Sequence, residues 1–397
     1  MPTAESPRVG IVYRVTSPGG AQSCVISLIR GLNRQGIVPD VIWDLPPARP
    51  LLERARVRAN FQPVRFRVPS GVMERLPDSV RYLAWIANVV EGDRFRGKYD
   101  CIYSFFNGFL MPADTAHLYY LNGPPLLPQL EGSTKGIAAI PRLSFRWLYR
   151  RLWRKSRPIY EYHRDCNYVI NSQYTARLFE EAHGVALPVV YPPVDLAGRT
   201  FEAGDLSGRD SIVFFSRIAP AKRPEIALDL ADRHRNLRCV VMGGVPVNRR
   251  AYMERLQRQA AARGLPVVFH SNPSDALVRE ELARARYYVF PAVEEHFGMT
   301  TPEAIASGAI PFVHDSGGQR EIVPDERLRF TDDQLYEKFD ALQRLSEREL
   351  EEVRKRLRSH VEQYSEEAFL DRVLPYLEGT VSVPDRIEAW KAPAARA

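Results

Sequence analysis

Cysteine is scarce in this chain: four among 397 residues, at Cys24, Cys101, Cys166 and Cys239. They stand far apart and mostly inside apolar runs, which leaves neither a disulfide framework nor the close pairing of a zinc site. A reducing, cytoplasmic setting is the expectation. Long apolar runs are missing too. Nowhere do eighteen apolar residues follow one another, and the opening MPTAESPRVGIVYRV lacks a charged start leading into an apolar stretch. Neither a membrane span nor a secretion signal is expected. No internal repeat, low-complexity tract, zinc-finger spacing or RNP-like aromatic motif appears, and no full GxGxxG. No acidic pair of the DxD kind stands where Mg²⁺ would be held against a phosphate, so no metal is expected.

What is present describes an ordinary globular chain, 45% hydrophobic and 26% charged. Its length exceeds what one core usually supports, so two domains of nearly equal size are expected. The net charge of +7 and a pI near 9.2 point to an anionic partner. Nucleotide sugars, anionic lipids and nucleic acid all satisfy that requirement.

Strand-like runs alternate with helical periodicity, the signature of parallel sheets covered on both faces. Strands are expected at 8–14, 38–44, 99–105 and 116–121, with a helix at 21–34. The stretch 45–69 mixes Pro and Arg with weak periodicity and is assigned only loosely. After the pair Pro192-Pro193 the alternation restarts. Strands are expected at 211–217, 238–242, 267–270, 287–290 and 310–314, with helices from Pro224 and over 250–262. The Pro-rich link at 191–196 is the natural domain boundary.

Residues 294–308, EEHFGMTTPEAIASG, are the most informative stretch. They read as the exit of a buried strand, a Phe-Gly turn, and a helix from Thr300 that ends at Gly308. A helix start offers unpaired N–H groups, so the amides around Gly298, Met299 and Thr300 are suited to a phosphate. Glu295 would face what the phosphate carries, and Glu303 can reach vicinal hydroxyls such as those of a ribose. The plainer alternative is that acids are simply favoured near helix N-termini. Arg217 at a strand end and Lys222 in the following loop suit two adjacent phosphates, or else a solvated basic loop. Gly19-Gly20, Gly243-Gly244 and Gly317-Gly318 permit close backbone approach or are merely turns.

Taken in order, GGAQ at 19–22, NSQYTARLF at 171–179, YPPVD at 191–195, SRIAPAKRPE at 216–225, Glu295-His296-Phe297-Gly298 with Glu303, and HDSGGQREIV at 314–323 resemble the motifs of the retaining GT-B glycosyltransferases of family 4. Glu295 and Glu303 match that family's E-x7-E signature. The resemblance implies an α/β fold of two doubly wound Rossmann-like domains facing across a cleft. It places an acceptor domain at 1–192, a nucleotide-sugar domain at 193–360, and a final helix with its tail at 361–397 that crosses back to the first domain. It implies catalysis by Glu295, Arg217 and Lys222. Donor contacts would come from Gly19, Gly20, Arg217, Lys222, Gly243, Glu295, Phe297, Gly298, Met299, Thr300 and Glu303. Acceptor contacts would come from His117 and Asn122. Many relatives carry a His in a YxHxPP-like segment where this chain reads YYLNGPP; Asn122 takes that place. An amide can orient a hydroxyl but cannot act as a base near neutral pH.

The likeness is strongest to the mannosyltransferases that extend dolichol-linked oligosaccharides. It implies GDP-mannose first and a UDP-hexose second as donor, with a glycan or lipid-linked acceptor and no cofactor. From Arg142 to Arg157, RLSFRWLYRRLWRKSR carries seven basic side chains and no acid, interleaved with aromatics. As a helix it has the profile of an element resting on anionic lipid, or of one packed by its apolar face. The protein would then be peripheral on the inner face of the membrane. Two other classes stand beside this reading: a UDP-hexose transferase with a soluble acceptor or a related sugar-nucleotide isomerase, and a non-catalytic polyanion-binding protein. Nucleic acid is not expected, because Glu295 and Glu303 would repel it.

Overall fold

Parallel strands buried on both faces need continuous apolar sequence, and SIVFF at Ser211–Phe215 and CIYS at Cys101–Ser104 supply it. The computed structural model describes residues 7–15, 20–73, 90–91, 95–105, 109–110, 116–123, 167–183, 186–196, 198–199, 206, 208–246 and 249–376. The chain divides into two units, Met1–Pro193 with Glu366–Ala397, and Val194–Ser365.

Among the described residues the first unit holds a six-stranded sheet of β1 (Val9–Val12), β2 (Asp40–Trp43), β3 (Asn60–Pro63), β4 (Cys101–Ser104), β5 (Ala116–Leu121) and β6 (Asn167–Ile170). Its spatial order is β3-β2-β1-β4-β5-β6, with every pairing parallel. Helix α1 (Gly20–Arg34) buries Val25, Leu28, Ile29 and Leu32 against it, the spacing of one helical face. In the loosely assigned stretch the structure has helix α2 (Arg49–Ala55), which carries Pro in its first turn, and then β3. Both are short, and β3 is an edge strand ending in Pro63, so neither prints a clear period on the sequence.

The C-terminal helix Glu366–Val373 belongs to this first unit. Phe369, Leu370 and Val373 join its core, and the Tyr103 hydroxyl donates to the Val373 carbonyl at 3.1 Å. The Glu366 carboxylate accepts from Ser27 at 2.8 Å and pairs with Arg30 and Arg34 on α1.

The second unit repeats the plan with β7 (Ser211–Phe215), β8 (Arg238–Gly243), β9 (Val267–Ser271), β10 (Ala285–Phe290), β11 (Ile310–His314) and β12 (Arg329–Phe330). Their order is β9-β8-β7-β10-β11-β12, again all parallel. Helices Glu225–Arg233, Arg250–Ala262 and Asp275–Arg284 follow β7, β8 and β9 in turn. The doubly wound α/β expectation therefore holds in each unit. No helix among the described residues is long and apolar enough to cross a membrane.

Candidate functional site

In open α/β sheets ligands settle beyond the carboxyl ends of the strands where the strand order reverses. In the second unit that point lies between β7 and β10, and the two loops leaving it carry most of the residues singled out from the sequence.

The loop after β7 lies against the end of β8. Ser216 donates its N–H to the Met242 carbonyl at 3.2 Å and Ile218 to the Gly244 carbonyl at 2.9 Å. Gly243 has φ 153°, and a Cβ there would sit 1.6 Å from the Ser216 carbonyl oxygen. Glycine at 243 thus serves a backbone-to-backbone contact that sets the height of Arg217, a packing role beside the donor contact expected of it. Arg217 is exposed and forms no ion pair with another described residue. Lys222 ends the short turn Pro220–Lys222. Its ammonium contacts the Glu295 carboxylate and lies 5.7 Å over the Phe290 ring. Arg223, at φ 54°, donates to the Pro291 carbonyl at 3.2 Å and pairs with Asp332 at 2.6 Å, tying this loop to the exit of β10.

The loop after β10 is held from behind by the turn that follows β11. Glu294, at φ 53°, donates its N–H to the Ser316 hydroxyl at 2.8 Å, and Gly318 donates to the Glu295 carbonyl at 2.8 Å. A Cβ on Gly317 would stand 2.4 Å from the Glu295 carbonyl oxygen, and one on Gly318 2.4 Å from that of His296. The two glycines of HDSGG are therefore close-approach residues that let one backbone seat the other. Gln319, wholly buried, donates to the Phe297 carbonyl at 2.7 Å and accepts from the Thr301 hydroxyl at 2.8 Å. Phe297 is buried with its ring 5.2 Å from that of Tyr364. Tyr288 donates to the Phe215 carbonyl at 3.2 Å and shares a 2.7 Å hydrogen bond with the Thr300 hydroxyl, joining the end of β7 to the start of the next helix. Burial drives the Tyr288 phenol far above its ordinary range, so it acts as a neutral hydrogen-bonding group.

That next helix, Thr300–Ala306, has seven residues. The N–H groups of Gly298, Met299 and Thr300 donate to no described residue. At its other end basic groups meet the last carbonyls of the helix, the favourable polarity. Arg354 donates to the Gly308 carbonyl at 2.8 Å and Arg209 to that of Ser307 at 3.2 Å. Glu303 pairs with Arg199 at 2.9 Å. Burial raises its carboxyl above the ordinary glutamate value, with Arg199 acting in the opposite sense.

The structure thus joins Lys222 to Glu295 and sets Arg217 on the same loop, with Phe297, Gly298, Met299 and Thr300 continuing from Glu295. Glu303 has a different partner, Arg199. Neither Arg199 nor the supports Tyr288, Arg223, Ser316 and Gln319 were identified from sequence, although HDSGGQREIV contains two of them. In the first unit Gly20 begins α1. Gly19 and the basic stretch from Arg142 to Arg157 lie outside the described residues.

His117 and Asn122, the two residues expected to contact the acceptor, stand at different places on the first sheet. His117 is the second residue of β5 and only 5% exposed. Asn122 follows the carboxyl end of that strand, half-buried, with its carbonyl accepting from Asn171 at 3.0 Å. Five residues of strand separate them by about 16 Å. His117 is a buried residue near the amino end, and Asn122 alone lies where a ligand of this sheet would be.

Among the described residues no cluster of three His, Cys, Asp or Glu side chains is arranged to hold a metal ion.

Residues 18–197 match the model of Glycosyltransferase Family 4, and residues 201–366 that of Glycosyl transferases group 1. Among curated proteins, the chain is 26% identical over 225 residues to the GDP-Man:Man(3)GlcNAc(2)-PP-Dol alpha-1,2-mannosyltransferase of Dictyostelium discoideum, which takes in 52% of this chain and 45% of that one. It is 29% identical over 147 residues to the lipopolysaccharide core biosynthesis mannosyltransferase LpcC of Rhizobium leguminosarum bv. viciae, 36% of this chain and 41% of that one. The match therefore spans less than half the length of each of these relatives. Among solved structures, Anabaena HepE in complex with UDP superposes with a TM-score of 0.68 at 16% identity, covering 94% of this chain and 100% of that one. At that identity the likeness establishes the architecture, GT-B. With the two family models accounting for nearly all of residues 18–366, the chain belongs to the family 4 glycosyltransferases.

Proposed function

We propose that this chain transfers a hexosyl group from a nucleotide-diphosphate sugar to an acceptor hydroxyl, with retention at the anomeric carbon and without a metal ion. GDP-mannose is the preferred donor, and the acceptor is a glycan carried on a lipid. The observation that carries the reading is the meeting of Lys222 and Glu295, with Arg217 on the same loop as Lys222, at the carboxyl ends of β7 and β10. An anion-binding pair next to a carboxylate is what a substrate with a diphosphate at one end and hydroxyls at the other requires.

In the proposed reaction the bond from the anomeric carbon to the diphosphate oxygen breaks, and its electron pair leaves with the diphosphate. Arg217, Lys222 and the N–H groups of Gly298, Met299 and Thr300 offset that growing charge. Lys222, which contacts Glu295, would neutralise a phosphate from beside the carboxylate, and Glu295 would orient the sugar hydroxyls. The acceptor oxygen attacks on the face the diphosphate leaves, and its proton passes to the departing phosphate oxygen. Glu295 is therefore not a nucleophile, unlike the second carboxylate of a retaining hydrolase. Glu303 receives the ribose hydroxyls. In the first unit, Asn122 orients the acceptor.

Mannose is supported by the names of both curated relatives, and a lipid-borne glycan by the dolichol and lipopolysaccharide they specify. UDP in HepE favours the second-ranked donor, a UDP-hexose. The basic stretch from Arg142 to Arg157 would hold the enzyme on anionic membrane. Sedimentation with anionic liposomes should then fall when Arg150, Arg151 and Arg154 become Ser, and a wild type that never sediments removes the membrane from the account. The donor is tested by thermal shift with GDP, UDP, GDP-mannose, UDP-glucose and UDP-N-acetylglucosamine, each with and without Mg²⁺. A ligand that binds only the folded state raises the melting temperature by mass action. GDP and GDP-mannose should stand apart, with no gain from Mg²⁺. A response to none of the five would favour a polyanion-binding protein.

A further inference from the structure

Arg199 has no place in the reaction just described, yet it is one of the most enclosed cations near the site, with 5% of its side chain exposed. All three guanidinium nitrogens are engaged. Nη2 donates to Glu303 Oε2 at 2.9 Å, Nη1 to the Ser307 hydroxyl at 3.2 Å, and Nε to the Asp195 carbonyl at 2.8 Å. The Ser307 hydroxyl in turn donates to the Glu303 carbonyl at 2.9 Å. The fork thus grips Glu303 and Ser307, which stand one helical turn apart on one face. The other carboxylate oxygen, Oε1, bonds to no described residue.

We propose that Arg199 is the positioning residue of the nucleotide site: it takes one oxygen of Glu303 and holds the carboxylate as an anion, with its second oxygen offered to the vicinal hydroxyls of a ribose. The inference rests on the reading of the second unit as a nucleotide site and adds to it the device that keeps the ribose-binding group charged. A vicinal diol presents two donors. An ionised carboxylate accepts both, whereas a protonated one spends an oxygen as a donor and loses the charge assistance.

The surroundings of Glu303 make such a device necessary. Burial works against its charge, and so do Asp195 on the preceding segment and Asp275 on the helix Asp275–Arg284. The cations facing it are Arg199 and Arg279, and Arg279 is already paired with Asp195 at 2.9 Å. The neutral phenol of Tyr288 stands on the strand side. Removing Arg199 leaves burial and two acids acting together, so the carboxyl binds its proton at a higher pH than in the wild type. A purely structural staple between the interdomain segment and the helix would behave otherwise, lowering stability while leaving the pH profile of nucleotide affinity in place.

The test uses the full chain as wild type, Arg199→Met and Arg199→Lys. Each is titrated calorimetrically with GDP and UDP, and with the 2′,3′-dideoxy form of whichever binds more tightly, from about pH 5.5 to about pH 8.5, where buried carboxyls titrate. Loss of charge-assisted hydrogen bonds predicts that Arg199→Met binds about ten- to a hundredfold more weakly at the acid end and recovers as pH rises. Arg199→Lys should restore most of the affinity. The dideoxy nucleotide should bind less well to wild type and respond little to either substitution. Weakening that is uniform in pH, or equal for the ribose and dideoxy forms, overturns the proposal. Infrared difference spectra judge it independently of any ligand. Arg199→Met should show a protonated carboxylic acid band near neutral pH that vanishes when Glu303→Gln is added, and its absence would be equally fatal. If the wild type binds neither nucleotide, the nucleotide reading falls while the infrared result still decides whether Arg199 keeps Glu303 charged.

Discussion

Replacing Gly317 by Ala should disable the enzyme from a position that touches no substrate. The added Cβ would lie 2.4 Å from the Glu295 carbonyl oxygen, where ordinary contact begins at 3.4 Å. The obstacle is backbone, so the loop after β10 must retreat by about 1 Å, a displacement that costs on the order of a hundredfold in rate when it falls on a positioned reacting group. Two costs in stability add. The left-handed backbone at φ 65° disfavours Ala by about 1 to 2 kcal/mol, and overpacking contributes about 1 to 3 kcal/mol. Gly264→Ala is the control. Its φ is 59° and nothing lies within 4 Å of the new Cβ, so it isolates the backbone cost. Melting temperature and the rate of diphosphate release from the cognate donor would be measured on both. Gly317→Ala should melt lower than Gly264→Ala and lose about a hundredfold in turnover while the control keeps its rate. Equal behaviour of the two would refute the claim that the glycine turn seats Glu295.

Other expectations follow from the same geometry. Glu303→Ala should weaken nucleoside diphosphate binding, whereas Glu295→Ala should spare it and cut turnover; equal loss of affinity in both would contradict the division of roles. Arg354, 2% exposed, joins the Gly308 carbonyl to Glu351. Arg354→Ala strands a carboxylate and a carbonyl and should cost about 3 to 5 kcal/mol, read from denaturant unfolding of the second unit. His234 and His314 are both held below their ordinary value of 6.5, first by burial, with Asp340 and Asp332 opposing it. The unfolded chain then binds more protons than the folded one between those values, so stability is full above pH 6.5 and declines as pH falls through the lowered folded values. Thermal melts across that window should flatten in the double variant His234→Gln/His314→Asn, and an unchanged slope would locate the effect elsewhere.

Much of this architecture is legible in the sequence because parallel strands announce themselves. The strand over 116–121, the helix over 250–262 and the strand over 310–314 occur within the bounds that their composition suggests. Helix Arg49–Ala55 and strand Asn60–Pro63 are harder to read, being short, Pro-bearing and at a sheet edge. The site divides the same way. Lys222 and Glu295 stand out because their residue types suit the substrate, and the fold then brings them into contact across 73 positions. The partners that act through other residues have no such mark. Arg199 is one of many arginines until the chain brings it to Glu303, 104 positions away. Gln319 looks like an ordinary helix-start residue until its amide is found between Phe297 and Thr301. His117 and Asn122 show the converse, since neighbours in sequence separate when the chain between them is extended.

Hydrogen exchange with and without a saturating nucleoside diphosphate tests the central claim most directly. Bound nucleotide should slow exchange in 216–223 and 294–303, the loops that leave β7 and β10, and the second of these should lose its protection in Glu303→Ala. Saturable binding that protects neither loop would place the nucleotide elsewhere and contradict the account.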